Sequence, residues 1–236
     1  MNSVKDHIIV ALDVASLDEA KRYVEMLSPY VGYFKIGLEL MNAVGTPTIV
    51  KVLHDLGGKI FFDGKFNDIP NTVGAASKVV SLLQVAMFNV HAASGISAIR
   101  AAVENKGKSL VLVVTILTSL DDTESQHIFG KDTKTKIFQF ASDALKAGAD
   151  GLICSPKDLL HLKQYPELSP LLKITPGVRP AWAVTQDQKR TLTPFEAIKA
   201  GASALVIGRP IMHPPKEIKN SIEAAKQIGD EIAKAL

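Results

Sequence analysis

The most informative part of the sequence is residues 61–72, where charged side chains follow directly on an apolar run. Asp63 and Lys65 are two residues apart in a predicted strand, and alternate residues of a strand share one face. Asp68 follows Lys65 by three residues, just before Ile69 and a proline. An ammonium group between carboxylates stays protonated, so this spacing could deliver a proton to a reacting atom. The structural alternatives are an ion pair for Asp63 and Lys65, and a helix N-cap for Asp68.

Two further charged residues strengthen the functional interpretation of this segment. Asp13 ends the first apolar run, in Ala-Leu-Asp, and Lys35 lies in the second run, in Phe-Lys-Ile-Gly. If these runs are neighbouring parallel strands, their carboxyl ends meet at one rim of the sheet. Asp13, Lys35 and Asp63 would then lie close together, with Lys65 near them.

The elements that must position these residues are short apolar runs rich in β-branched residues, which recur about every 20 to 35 residues and are each followed by helical spacing. The predicted strands are 8–14, 33–39, 59–65, 87–92, 110–116, 151–155, 173–178 and 204–209. The predicted helices lie near 16–28, 45–56, 70–83, 94–105, 135–147, 157–163, 193–200 and 215–235.

Eight strand–helix pairs without an intervening linker predict one domain over residues 1–236, of the α/β class, folded as a single (β/α)8 TIM barrel. An open doubly wound sheet usually has fewer strands. Two polar connections, 118–134 and 179–191, are unusually long. Because loops after barrel strands build active sites, both are predicted to contribute to function.

Composition limits the possible partners. The net charge is +3, and basic and acidic residues are interspersed, so no nucleic-acid partner is expected. No apolar stretch approaches the ~20 residues of a membrane span, and the first residues do not resemble a signal peptide, so no membrane association is expected. The single cysteine, Cys154, lies in an apolar stretch and is predicted to be a buried residue rather than a nucleophile. A cytoplasmic location is expected.

The sequence resembles the orotidine 5′-monophosphate decarboxylase family, in its bacterial branch. The resemblance rests on Asp-x-Lys-x-x-Asp-Ile-Pro-x-Thr at 63–72, together with the strand-one Asp and strand-two Lys, and it spans essentially the whole chain. The core Asp-x-Lys-x-x-Asp is shared with related sugar-phosphate decarboxylases. The Ile-Pro-x-Thr that follows it and five distal motifs favour the orotidine 5′-monophosphate decarboxylase family over these relatives. These motifs are Asn-Val-His at 89–91, Val-Thr-Ile-Leu-Thr-Ser at 114–119, Thr-Pro-Gly-Val-Arg-Pro at 175–180, Asp-Gln at 187–188 and Val-Ile-Gly-Arg-Pro at 206–210.

The resemblance implies a lyase that converts orotidine 5′-monophosphate to uridine 5′-monophosphate and carbon dioxide, without a metal or other cofactor, as a homodimer with shared active sites. Lys65 would donate the proton to C6 of the pyrimidine, and Asp63 would face the departing carboxylate. Lys35 and Asp68 would complete the charged chain, with Asp68 reaching into the neighbouring subunit's site. The implied substrate-binding residues are Asp13 and Thr72 for the ribose, Thr118 and Ser119 for the pyrimidine edge, and Arg179, Gln188, Gly208 and Arg209 for the phosphate.

Elementary chemistry supports these roles. Loss of carbon dioxide from a vinylic carbon leaves an electron pair that no π-system can delocalise, so a fixed cation must already be present. In barrels, the loops after strands seven and eight and a following helix N-terminus commonly bind phosphate. Gly177 and Gly208 would allow close backbone approach there, and Arg209 could bind phosphate oxygens through its fork of donors. A plain surface arginine is the alternative for Arg209.

Three rival functions remain open at this stage. A metal-dependent keto-sugar-phosphate decarboxylase shares the core motif, but Lys35 argues against it because a divalent cation prefers carboxylates. A phosphosugar isomerase or epimerase and a catalytically silent nucleotide-binding barrel are the others. The six histidines show no metal-binding spacing, and His91 is predicted to be a hydrogen-bonded structural residue. Gly107-Lys-Ser109 is not a P-loop, since Ala102 occupies the position of the first glycine.

Overall fold

The computed structural model describes residues 3–183 and 192–236. Eight parallel strands form a closed barrel in chain order, with β8 paired to β1. This confirms the predicted (β/α)8 TIM barrel, and each strand begins within one residue of its predicted start. The strands are β1 (Ile8–Leu12), β2 (Tyr33–Ile36), β3 (Ile60–Phe66), β4 (Met87–His91), β5 (Leu110–Val114), β6 (Gly151–Ile153), β7 (Leu172–Pro176) and β8 (Ala204–Ile207).

Helices alternate with the strands, and the described residues form eleven α-helices and three short 3₁₀ helices. The α-helices are α1 (Leu17–Leu27), α2 (Leu38–Val44), α3 (Thr46–Asp55), α4 (Pro70–Leu82), α5 (Ile96–Glu104), α6 (Asp122–Phe129), α7 (Thr133–Ala147), α8 (Pro156–Leu162), α9 (Pro194–Lys199), α10 (Arg209–Met212) and α11 (Ser221–Ala235). The 3₁₀ helices are Val4–His7, Ala92–Ser94 and Pro166–Leu168. No helix in these described ranges is both long and apolar enough to cross a membrane.

Three of these helices correct the predictions from sequence. The second strand ends at Ile36 rather than 39, because Gly37 caps the start of α2. Segment 118–134, expected to be a loop, contains α6. The eighth strand ends at Ile207, and Arg209 opens α10 instead of ending the strand.

The chain divides into two compact units, Met1–Asp63 with Thr175–Leu236, and Gly64–Ile174. In the first unit, every residue of β1 is buried and the strand pairs with β2 on one side and β8 on the other. Burial on both faces is typical of a parallel barrel strand and explains the continuous apolar run Ile8–Leu12. A buried hydrogen bond from Tyr23 Oη to the carbonyl oxygen of Met212, 2.9 Å long, joins α1 to α10.

In the second unit, β4, β5 and β6 pair in parallel, with Phe88 opposite Val111 and Val113 opposite Leu152. Asp150 precedes β6 and accepts hydrogen bonds from Lys106 Nζ at 2.6 Å and from the Val111 N–H at 2.7 Å. Cys154 is buried, as predicted. The prediction that the whole chain behaves as a single domain stays a prediction.

Candidate active site

Lys35 lies between two carboxylates, one that directly follows β1 and one in the middle of β3. Its Nζ is 3.1 Å from Asp13 Oδ1 and 3.2 Å from Asp63 Oδ2. Lys35 belongs to β2 and Asp63 to β3, while Asp13 directly follows β1. The parallel strands thus bring these three predicted site residues together level with the carboxyl ends of β1 and β2. Catalytic residues lie toward this end of a barrel.

Burial and charge act in opposite directions on Lys35. The side chains of Lys35 and Asp63 are only 12% and 11% exposed, whereas that of Asp13 is 63% exposed. Burial alone lowers the pKa of Lys35, but the negative charges of Asp63 and Asp13 and their hydrogen bonds outweigh this effect, so the pKa is raised above that of an ordinary lysine. Lys35 therefore carries a fixed positive charge at neutral pH, and a buried carboxylate stands directly beside it.

Gly208 lets the backbone after β8 approach this cluster. A Cβ atom at position 208 would lie 3.3 Å from Ala11 Cβ and 3.7 Å from Asp13 Oδ2. The first of these distances is too short for an ordinary side chain to fit without movement of β1. Two residues with predicted substrate contacts, Gly208 for phosphate and Asp13 for ribose, are therefore neighbours in the structure.

Lys65 has an unusual backbone conformation. Its φ is +49°, in the left-handed region, which among the described non-glycine residues only Gln84 shares. The left-handed conformation costs a non-glycine residue roughly 1–2 kcal/mol. The Lys65 N–H donates a 2.7 Å hydrogen bond to Oδ1 of Asn89, a residue of β4. Simple alternation along β3 does not determine where the Lys65 side chain points, because that rule assumes an extended backbone.

His91, at the end of β4, is hydrogen-bonded, as predicted for a structural histidine. Its Nδ1 accepts the Ala93 N–H at 3.2 Å, and its carbonyl oxygen accepts Ser94 Oγ at 2.6 Å. Burial lowers the pKa of His91, and the positive charge of Lys65 lowers it further. Both effects favour the neutral imidazole, whose unprotonated Nδ1 is the form that can accept a hydrogen bond.

Asp68 and Thr72 lie around the start of α4, and both are exposed. The N-cap of α4 is Ile69, and no side chain bonds in its cap. Oδ1 of Asp68 instead accepts the adjacent Ile69 N–H at 2.7 Å. The N-cap interpretation of Asp68 is therefore wrong, while Pro70 does open the helix as predicted.

Thr118 and Ser119, predicted to contact the pyrimidine, are the central residues of an exposed turn. A 3.0 Å hydrogen bond from the Leu120 N–H to the Leu117 carbonyl oxygen closes this turn. The turn leads into α6, whose start is capped by Asp121. Both predicted residues are exposed and therefore accessible to a ligand.

The predicted phosphate-binding residues lie after β7 and β8. Arg179 is partly buried, and its Nη1 donates to the Val178 carbonyl oxygen at 3.0 Å. Arg209 is exposed at the first position of α10. Gln188 lies outside the described residues, so the structure places Arg179, Gly208 and Arg209 but not the fourth member of the set.

The carboxylates of Asp13 and Asp63 both face the ammonium group of Lys35. Within residues 3–183 and 192–236, no group of three or more His, Cys, Asp or Glu side chains is arranged to hold a metal ion.

A closed (β/α)8 barrel with buried charges at the carboxyl ends of its strands has the design of a barrel enzyme. The sequence model of the orotidine 5′-phosphate decarboxylase / HUMPS family matches residues 6–227, and the chain belongs to that family.

Individual relatives agree with this assignment. The chain is 41% identical to orotidine 5′-phosphate decarboxylase of Syntrophomonas wolfei, over 97% of this chain and 98% of the relative. It is 42% identical to the protein of the same name from Rhodopseudomonas palustris, over 98% and 96%. The crystal structure of orotidine 5′-phosphate decarboxylase from Lactobacillus acidophilus aligns with a TM-score of 0.82 at 31% identity, covering 96% of this chain and 99% of that one.

Asn89 was not predicted to be a site residue, although it stands in one of the motifs. A sequence signal for it exists, because Asn89 is a polar residue inside the apolar strand Met87–His91. A buried amide must find hydrogen-bond partners. The structure shows Asn89 fully buried and bonded to Lys65.

Proposed function

We propose that this chain decarboxylates orotidine 5′-monophosphate to uridine 5′-monophosphate in pyrimidine biosynthesis. The observation that carries the proposal is the Asp13–Lys35–Asp63 cluster, level with the carboxyl ends of β1 and β2. Relatives named orotidine 5′-phosphate decarboxylase match this chain over nearly their whole length. A cytoplasmic location is part of the proposal.

In the proposed mechanism, Lys65 is the proton donor to C6. When carbon dioxide departs, the electron pair left on C6 stays localised, and a nearby ammonium stabilises it before delivering a proton. The bond between C6 and the carboxylate breaks, and its electrons remain on C6. A proton from the side-chain ammonium of Lys65 then forms the new C6–H bond. Lys65 is then neutral and regains a proton from solvent.

Lys35 and Asp63 prepare the electrostatic field for this step. Asp63 is buried and paired with Lys35, so its negative charge is held in place. Next to a substrate carboxylate it would add like-charge repulsion, which disappears as carbon dioxide leaves. Because these charges are fixed before substrate binds, no reorganisation is needed when the carbanion forms.

Substrate binding is proposed to use residues that follow several of the strands. Asp13 is accessible enough to accept hydrogen bonds from ribose hydroxyls, and Gly208 beside it brings peptide groups within reach of a ligand. Arg179 and Arg209, after β7 and β8, supply charged donors for the phosphate. Thr72, Thr118, Ser119 and Gln188 complete the proposed contacts.

A homodimer with shared sites is also proposed. Asp68 and Ile69 are both exposed in the single chain, and Ile69 is 65% exposed. Two more apolar side chains on α4, Val79 and Leu82, are exposed by 61% and 72%. Such apolar residues are commonly covered when two copies associate. Asp68, which adjoins the exposed Ile69, could then complete the site of the partner subunit.

The direct test is decarboxylation in the presence of a chelator. Purified protein, treated exhaustively with EDTA, is mixed with orotidine 5′-monophosphate, and the pyrimidine absorbance is followed. We expect full turnover without added metal. Absence of turnover with or without magnesium would overturn the proposed activity, whereas turnover that requires magnesium would overturn the cofactor-free mechanism. The relatives named above give no support to the sugar-phosphate alternatives, and a keto-sugar phosphate serves as the negative substrate.

A further inference from the structure

We propose that Asn89 is a positioning residue for the proton donor, acting through the backbone of Lys65. This inference rests on the proposed function of Lys65 and adds a residue to it. Asn89 Oδ1 accepts the Lys65 N–H at 2.7 Å, a short and therefore well-formed hydrogen bond.

The hydrogen bond stands where the backbone needs support. Lys65 adopts φ +49°, which a residue with a side chain rarely occupies unless surrounding contacts hold it there. The φ angle sets the direction of the Cα–Cβ bond relative to the preceding peptide. Fixing the peptide N–H of Lys65 in this conformation therefore fixes the direction in which its side chain leaves the strand.

The environment explains why asparagine serves this purpose. Asn89 is fully buried, as are its two neighbours along β4, Phe88 and Val90. An amide oxygen accepts the hydrogen bond without bringing another charge close to Lys65. A serine hydroxyl would be too short to reach the same N–H, and leucine has nearly the shape of asparagine but no acceptor.

A second contact beside this hydrogen bond keeps the end of β3 in place independently. The rings of Phe66 and Phe88 are 6.0 Å apart between centroids, at an interplanar angle of 51°. Phe66 directly follows Lys65, and Phe88 directly precedes Asn89. Loss of the amide acceptor is therefore expected to release the local conformation of Lys65 while the strands stay paired.

The central experiment compares Asn89→Leu with the wild type and with Ser109→Ala. Ser109 is a matched control, because its buried hydroxyl donates to the Val85 carbonyl oxygen at 2.7 Å, at the opposite end of β5 from the site. We expect Asn89→Leu to lower kcat by about 10- to 100-fold with KM changed less than about threefold, since misplacement of a catalytic group mainly affects the chemical step. Ser109→Ala should lose stability but retain kcat.

Two further measurements separate positioning from a merely structural role. In a Lys65→Ala background, Asn89→Leu should change the residual turnover by less than about threefold, because a residue that acts through Lys65 has nothing left to position. Hydrogen exchange at the Lys65 amide should be faster in Asn89→Leu than in wild type. That exchange measurement does not depend on the reaction, so it still tests the inference if the proposed activity fails.

Unchanged kcat in a folded Asn89→Leu protein, or an equal loss with and without Lys65, would overturn the inference. If Asn89→Leu does not fold, Asn89→Ser replaces it with the same expectations, because its side chain is too short to hold the Lys65 N–H. A retained kcat in Asn89→Ser would then refute the positioning role.

Discussion

The backbone N–H of Arg179 donates a 3.0 Å hydrogen bond to the carbonyl oxygen of Leu192. This bond joins the chain shortly after β7 to the chain shortly before α9. Gln188 lies between these two points in the sequence. Arg179 also directs its guanidinium near this point, where Nη1 meets the Val178 carbonyl oxygen. The base of the segment is thus fixed at the end of the barrel where phosphate binding is proposed.

We expect this region to recognise the phosphate of the substrate. Orotidine, which lacks the phosphate, should react with kcat/KM lowered by about 10²-fold or more, because charged hydrogen bonds to the phosphate contribute binding energy that orients the reacting end. Arg209→Ala should lower kcat/KM for the nucleotide but hardly affect orotidine. Arg100→Ala, an exposed arginine on α5, is the control. Equal kcat/KM for the two substrates would refute the phosphate site.

Replacement of Lys65 by alanine should remove the proton donor. We expect kcat to fall by at least ~10³-fold, with much smaller change in the affinity for uridine 5′-monophosphate. Lys163→Ala, at an exposed position that ends α8, should leave both quantities unchanged. Steady-state kinetics and calorimetric titration provide the two readouts. Near-normal kcat in a folded Lys65→Ala protein would assign proton transfer to another group, and Lys35 would be the first to test.

Mixing two inactive variants tests the shared sites of the proposed dimer. Lys65→Ala and Asp68→Ala are each expected to be nearly inactive. If each site takes Lys65 from one chain and Asp68 from the other, a mixed dimer has one site with both defects and one with neither. After full subunit exchange, about half the dimers are mixed, so activity should recover to about a quarter of wild type.

The control for this experiment is the separate incubation of each variant under the same conditions. Subunit exchange is verified by mass spectrometry with one variant isotopically labelled. No recovery despite verified exchange would place Asp68 in the site of its own chain.

The lowered pKa of His91 predicts a loss of stability in mild acid. Above about pH 6.5 the imidazole is neutral in both the folded and the unfolded chain. As the pH falls below this value, the unfolded chain takes up the proton first, which favours unfolding, and the penalty levels off below the folded-state pKa. His91→Gln should therefore show a smaller decrease in the free energy of unfolding between pH 7 and 5 than wild type. Urea titrations measure the free energy of unfolding at each pH. His127→Gln, at an exposed position, is the control. An unchanged pH dependence would contradict the assignment.

Much of the fold could be predicted from sequence because buried parallel strands leave a strong signal. The run Ile8–Leu12 is buried on both faces, and such strands read as uninterrupted apolar segments. Asp13, Lys35 and Asp63 were predictable for a related reason, since charges that interrupt or end such runs at equivalent places must meet when the strands align. Strand ends were less certain by a few residues, as Gly37 illustrates.

The features that sequence reasoning missed are either short helices or consequences of contacts between distant parts of the chain. α6 has a capping box from Asp121 to Glu124 and a left-handed Gly130 at its end, and these signals were available but lay in a polar stretch. α10 has only four residues, too few for a periodic pattern. The left-handed backbone of Lys65 has no local sequence cause, because the partner that holds it, Asn89, is on another strand.

The hydrogen bonds around α6 have a consequence for how this segment tolerates changes of length. Asp122 Oδ1 accepts the Thr133 N–H at 3.1 Å, and Ser125 Oγ donates to the Lys131 carbonyl oxygen at 2.8 Å. The segment that follows the pyrimidine-side turn is thus braced by bonds that begin and end within it. Such a braced insert can lengthen or shorten with little cost to the strands that carry it. A change of length within this segment is therefore expected to leave β5, which precedes it, and α7, which follows it, in place.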